Sequence, residues 1–211
     1  MNETITGLFS ALRLIPVVVI ESRELVVPLA DALAEGGLPC AEITLRTPSA
    51  LDALKAFAER PGMLVGAGSV CTPDQVSQVV DAGARFVVSP GLSESVVLRC
   101  RDLGVPTLPG VATATEIMHA IELGLDVVKL FPAGHLGGPA GLRSLAAPFH
   151  SVRFVPTGGV SPMNIAEYLS TPAVLAVGGS WMVAPGLIRA GRFDEIRRLT
   201  YEAAAMSGVR P

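Results

Sequence analysis

The chain has 211 residues, 50% of them hydrophobic and 17% charged, with a formal net charge of -3 and a mean hydropathy of +0.51. That apolar content can bury a large core, which excludes intrinsic disorder, and the size fits a single barrel or doubly wound α/β domain spanning residues 1–211. A slightly acidic chain without a Lys/Arg cluster interleaved with aromatics argues against nucleic acid as a partner, and no apolar run approaches the roughly 18 residues of a membrane span.

The opening MNETITGLFSALRL carries Glu3 early and no basic region ahead of an apolar one, so it does not read as a secretory signal and a cytoplasmic location is expected. Residues 3–13 read as an extra helix closing the bottom of the fold. Eight β-branched runs then recur at near-regular intervals: IPVVVI from Ile15, CAEITL from Cys40, MLVGAG from Met63, RFVVSP from Arg85, VPTLPG from Val105, VVKLFP from Val127, RFVPTGG from Arg153 and VLAVGG from Val174. Between them lie segments with helical spacing, such as RELVVPLADALAEGG, SALDALKAFAER, PDQVSQVVDAGA and ATEIMHAIELG. Thr72-Pro73-Asp74 and Ser161-Pro162 each place a capping residue before a proline suited to a first helical turn, and Gly36, Gly83, Gly104 and Gly124 mark helix ends. Eight strand–helix units with near-continuous apolar strands predict a parallel sheet closed into a (β/α)8 barrel, with its active site at the C-terminal ends of the strands. Cys40, Cys71 and Cys100 are odd in number and far apart, which fits reduced thiols better than disulfides or a zinc site.

Fourteen of the sixteen basic residues are Arg, leaving Lys55 and Lys129. Lys129 stands inside VVKLFP among Val, Leu and Phe, where a charged amine is costly to bury. It is either a Schiff-base nucleophile, kept unprotonated by an apolar pocket and a nearby cation, or a lysine that snorkels out or forms a structural ion pair. In CAEITLRT the strand period puts Glu42, Thr44 and Arg46 on one face and Ala41, Ile43 and Leu45 on the other. Facing the barrel interior, the Glu42 carboxylate can move protons and Arg46 can fork onto a substrate carboxylate; the plainer alternative is a buried Glu42–Arg46 ion pair. PTGGVSP and VGGSW end the last two strands, where barrels often bind phosphate through backbone N–H groups. GAGSV lacks the third glycine of a dinucleotide fingerprint, and His119, His135 and His150 show no metal-ligand spacing, so neither a nicotinamide nor a metal is expected.

AEITLRT, GAGSV, SPGLS, PGVATATE, KLFPAG, PTGGVSP and VGGSW, in this order and covering Ile15 to Trp181, resemble the 2-keto-3-deoxy-6-phosphogluconate (KDPG) and 4-hydroxy-2-oxoglutarate (KHG) aldolases. The resemblance implies a homotrimeric, metal-independent barrel that needs no cofactor and takes pyruvate and a phosphorylated 2-keto-3-deoxy sugar acid. It implies that Lys129 is the Schiff-base lysine, Glu42 the general acid/base and Arg46 the pyruvate-carboxylate clamp. By the same matching, Ser69, Pro90 and Thr157 line the pyruvate pocket with Thr44 and Phe131 beside them, and Gly158, Gly159, Gly179 and Ser180 form the phosphate site. Two positions depart from the pattern: Ser69 replaces the threonine of GAGTV, and Gly134 followed by His135 replaces the glutamate of FPAE. The expected reaction is cleavage of KDPG to pyruvate and glyceraldehyde 3-phosphate. The alternatives are action on KHG or on 2-keto-3-deoxy-6-phosphogalactonate, or a non-catalytic barrel that only binds phosphorylated metabolites.

Overall fold

A computed structural model describes residues 4–208. In chain order the elements are α1 (Ile5–Phe9), β1 (Leu14–Val18), α2 (Val26–Glu35), β2 (Cys40–Thr44), α3 (Ala50–Ala58), β3 (Leu64–Gly68), α4 (Pro73–Asp81), β4 (Val87–Val88), α5 (Glu94–Asp102), β5 (Thr107–Leu108), β6 (Gly110–Val111), α6 (Ala114–Glu122), β7 (Val127–Leu130), α7 (Gly138–Ala146), β8 (Arg153–Pro156), α8 (Ile165–Leu169), β9 (Val177–Gly179), α9 (Pro185–Arg189) and α10 (Phe193–Ser207). Among the described residues every strand pairing is parallel, as expected of strands returned by crossover helices.

The fifth expected strand is divided in two, and Pro109 is the reason. Proline has no N–H for the ladder, so β5 pairs back to β4 and β6 pairs forward to β7. The sheet therefore consists of a six-stranded part, β5-β4-β3-β2-β1-β9, and a three-stranded part, β6-β7-β8. Bridges Phe154↔Val174 and Thr157↔Gly178 join β8 to the β9 side, and the chain itself joins β5 to β6, which closes the ring. This is the (β/α)8 barrel.

Side chains alternate between two apolar clusters. Ala41, Ile43, Val128 and Leu130 point outward into the layer shared with the helices. Ile15, Cys40, Phe86, Val88, Leu108, Val127, Val155 and Ala176 point inward and fill the lower barrel. The short α1 plugs that end. Thr4 caps it through Gly7 N–H, Ile5 and Phe9 are buried, and the Phe9 ring meets Phe86 edge-on at 5.0 Å and 88°. The helix is shorter than the expected 3–13, and Glu3 lies outside the described residues.

Thr72 caps α4 as its sequence suggests, accepting from Gln75 N–H at 3.2 Å. At Ser161-Pro162 the serine caps a turn, its Oγ accepting from Met163 N–H at 3.3 Å and its carbonyl from Ile165 N–H at 3.0 Å, while the regular helix begins later than expected, at Ile165. Asn164 ties the same turn from its other side, its Oδ1 accepting from Ser161 N–H at 2.9 Å and its Nδ2 donating to Gly159 carbonyl at 2.9 Å. Gly83, Gly104 and Gly124 take left-handed backbone as expected of helix ends, whereas after α2 that conformation falls on Gly37. Gly36 instead gives α10 room to approach, since a Cβ there would stand 2.7 Å from Thr200 Cγ2.

Candidate active site

The inward positions turn polar on moving toward the C-terminal ends of the strands. On β2 the inward sequence is Cys40, Glu42, Thr44; on β7 it is Val127, Lys129, continuing to Phe131. Across the barrel, Lys129 Nζ lies 3.3 Å from Glu42 Oε1, with the two side chains 5% and 4% exposed. The Phe131 ring sits 5.2 Å from Nζ. The structure thus pairs Glu42 with Lys129, and the alternative of a buried Glu42–Arg46 pair is not realised. Strand β2 ends at Thr44, so Arg46 leaves the strand period, lies exposed in the following turn and donates from Nε to Ser69 Oγ at 3.2 Å. The cation expected beside Lys129 is likewise replaced by a carboxylate.

Above this pair opens a cavity of about 220 Å3, and its wall includes Arg46, Phe131, Thr157, Gly158, Gly159, Gly179 and Ser180, together with Val17, Val19, Val160, Gly178 and Pro185. Seven of the sequence-derived site residues are therefore brought together on one wall. Lys129 and Glu42 lie beneath it, and Phe131 spans the two by touching both the amine and the cavity. Thr44 is buried and donates its hydroxyl to Val18 carbonyl at 2.9 Å. Ser69 is half-buried in left-handed backbone, φ 60°, and tied to Arg46. Pro90 is exposed at the end of the fourth strand, its carbonyl packed against Gly110.

Arg46 is the charged side chain of the cavity wall. The rest of the wall is glycine, hydroxyl and apolar side chains. Gly158 and Gly159 are consecutive left-handed residues, φ 84° and 85°, a conformation that suits glycine alone among common residues. The Phe131 ring would lie 3.1 Å from a Cβ at 158. Gly134 packs on Gly159 almost backbone to backbone, donating its N–H to Gly158 carbonyl at 2.8 Å, and a Cβ at 134 would stand 3.2 Å from Gly159 Cα. The residue that breaks the FPAE pattern therefore lets the loops after β7 and β8 close on each other. His135, next to it, is exposed. Sequence reasoning missed Val17, Val19, Val160 and Pro185, whose apolar side chains carry no chemical signal, and Gly178, whose neighbour Gly179 was recognised.

Beneath the pair, burial and then the charge of Glu42 push the Cys40 thiol far above its usual range, so it remains an inert thiol. Among the described residues no group of three or more His, Cys, Asp or Glu side chains is placed to hold a metal ion.

A (β/α)8 barrel with a buried amine–carboxylate pair under a C-terminal cavity defines the class as a barrel enzyme with lysine at its centre. The chain belongs to the KDPG and KHG aldolase family, whose model matches residues 5–199. It is 48% identical to a 2-dehydro-3-deoxy-phosphogluconate aldolase of Treponema pallidum (strain Nichols), over 98% of this chain and 99% of that one. Among solved structures it is similar to a Legionella pneumophila KDPG aldolase with pyruvate captured as a covalent carbinolamine intermediate, at TM-score 0.90 and 40% identity, covering 93% and 96% of the two chains. It is also similar to the 2-keto-3-deoxy-6-phosphogluconate aldolase of Zymomonas mobilis ZM4 with 3-phosphoglycerate, at TM-score 0.89 and 41% identity, covering 96% of each.

Proposed function

We propose that this chain is a Schiff-base aldolase, a lyase that cleaves 2-keto-3-deoxy-6-phosphogluconate reversibly into pyruvate and glyceraldehyde 3-phosphate. The observation that carries the reading is the buried Lys129 Nζ–Glu42 Oε1 contact of 3.3 Å, beside the Phe131 ring that also lines a cavity walled by Arg46 and glycines. The pyruvate carbinolamine in the Legionella relative and the name of the Treponema relative support the same chemistry.

Lys129 attacks the keto carbon of the substrate, and loss of water from the carbinolamine leaves an iminium that serves as the electron sink. Glu42, through a water, takes the proton of the hydroxyl on the carbon being released. The carbon–carbon electron pair moves into the iminium to form an enamine, and the aldehyde departs. Glu42 returns the proton to the enamine carbon, and water hydrolyses the imine to release pyruvate and the free amine. The lysine provides the sink, so no cofactor is required. Arg46, steadied by Ser69, binds the carboxylate with Thr157; Thr44, Pro90 and Phe131 shape the pyruvate pocket around it. The backbone of Gly158, Gly159 and Gly179 and the Ser180 hydroxyl receive the phosphate. We infer a homotrimer in the cytoplasm; apolar side chains left exposed at Leu98, Leu103, Met118 and Ile121 support subunit contact, and free cysteines suit a reducing compartment.

One observation favours a second substrate, 4-hydroxy-2-oxoglutarate. Apart from Arg46 the cavity wall offers glycine backbone, hydroxyls and apolar side chains and no second cationic side chain, so it does not demand a phosphate. Cleavage rates on the phosphogluconate-derived, phosphogalactonate-derived and hydroxyglutarate substrates decide. The phosphogluconate-derived substrate is expected to react fastest, and Ser180→Ala to lower its kcat/KM about tenfold, one hydrogen bond to a charged group, while leaving the hydroxyglutarate rate nearly unchanged. Faster cleavage of either other substrate overturns the assignment.

A further inference from the structure

The Glu42 carboxylate rests against the backbone of Gly68, the last residue of β3. A Cβ at position 68 would stand 2.8 Å from Glu42 Cγ and 2.9 Å from Cδ, and would press still closer on Oε1. Oε1 is the atom that accepts from Lys129 Nζ. Gly68 does not need to be glycine for its backbone: it pairs with Thr44 in the regular β3–β2 ladder and is not among the left-handed glycines. Nor is it an empty position in the packing, because the space a methyl would fill is taken by a side chain that is 3% exposed. Gly66, two residues earlier, differs in its neighbour, since its missing side chain makes room for the Phe86 ring.

We propose that Gly68 is a positioning residue for the proton transfers: its bare Cα forms the slot that holds the Glu42 carboxylate against Lys129. The proposal rests on the reading of Glu42 as the acid/base. A methyl at 68 moves the carboxylate away from the amine and the reacting hydroxyl, while the strand keeps its ladder. Shortening Glu42 by one methylene withdraws the carboxylate from the same space, so the two changes compensate in part.

The test is a double-mutant cycle of Gly68→Ala and Glu42→Asp, with Glu42→Gln as control, read as kcat, KM, the pH profile of kcat, borohydride trapping with pyruvate, and the melting temperature. Gly68→Ala should fold, trap pyruvate on Lys129, lose at least about tenfold in kcat with little change in KM, and shift the pH profile, which a loss of stability alone would leave in place. The double variant should be at least about fivefold more active than the product of the single losses predicts. A Gly68→Ala enzyme within twofold of the parent in kcat with an unmoved profile overturns the proposal, as do strictly multiplicative losses in the double variant. Should Gly68→Ala fail to fold, the double variant decides: recovery of folding supports the slot, and continued failure contradicts it. A normally active Glu42→Gln enzyme instead removes the acid/base reading, whereas an inactive Gln variant beside a normal Gly68→Ala variant removes the Gly68 proposal alone.

Discussion

Arg46 reaches the cavity from a turn and is held there by a 3.2 Å bond to a serine in left-handed backbone, so its placement depends on two residues from neighbouring strand ends. In the proposed role of clamp for the carboxylate that every candidate substrate carries, it is expected to supply a charge-assisted contact of about 2 kcal/mol. Arg46→Ala is therefore expected to reduce kcat/KM by about thirtyfold on phosphorylated and unphosphorylated keto acids alike, measured side by side. A loss confined to the phosphorylated substrates would place Arg46 at the phosphate end instead. At this scale the sequence showed the two central residues, because a lysine and a glutamate inside apolar strands carry a burial cost that demands an explanation. It did not show how they pair. The period of two was carried past Thr44, where the strand stops, and that set Arg46 beside Glu42 on paper while the fold turned it toward Ser69. Gly68 was invisible for a related reason: a glycine in a strand says that something approaches closely, and only the closed barrel says what.

Elements carry the site by fixing where strands end and helices begin. The loop from β6 into α6 is fastened by a capping box, with Thr113 Oγ1 accepting from Glu116 N–H at 3.3 Å and Glu116 Oε2 accepting from Ala112 N–H and Thr113 N–H at 2.8 and 2.9 Å. Partial burial pushes the Glu116 carboxyl up, but the bonds from Ala112 and Thr113 outweigh it and hold the group below its usual value. A depressed folded value means that the stabilisation is present above the ordinary carboxylate range and is lost as pH falls through the folded value. Glu116→Gln, which can still accept the capping bonds, should thus cost only about 0.5 kcal/mol at pH 7 because solvent screens a charge that is only partly buried, read from denaturant midpoints, and the difference from the parent should shrink below about pH 4. A difference that is constant with pH would contradict a role for the charge. Amphipathic spacing and the Thr72 cap were legible at this scale because each is a local signal. The split at Pro109 and the late start of α8 were not, since one depends on which neighbours the ladder must join and the other on Asn164 bonding back to Ser161 and Gly159.

For the whole molecule, the count of eight strands was enough to predict closure, and the order β5-β4-β3-β2-β1-β9 with β6-β7-β8 realises it. The two ends of the barrel interior are chemically opposite: Phe9, Phe86 and Val88 pack the bottom, while Lys129, Glu42 and Thr157 are buried toward the top beneath a cavity. That gradient was only half visible beforehand, because the apolar plug depends on α1 folding under strands far along the chain. The proposed chemistry depends on the amine at the centre of the barrel. Incubation with pyruvate and borohydride, followed by intact-mass and peptide analysis, should show a single reduced pyruvate adduct on Lys129 and none on Lys55, which is exposed on α3 and remote from any such pair. An adduct on Lys55, or no adduct at all on the folded protein, would contradict it.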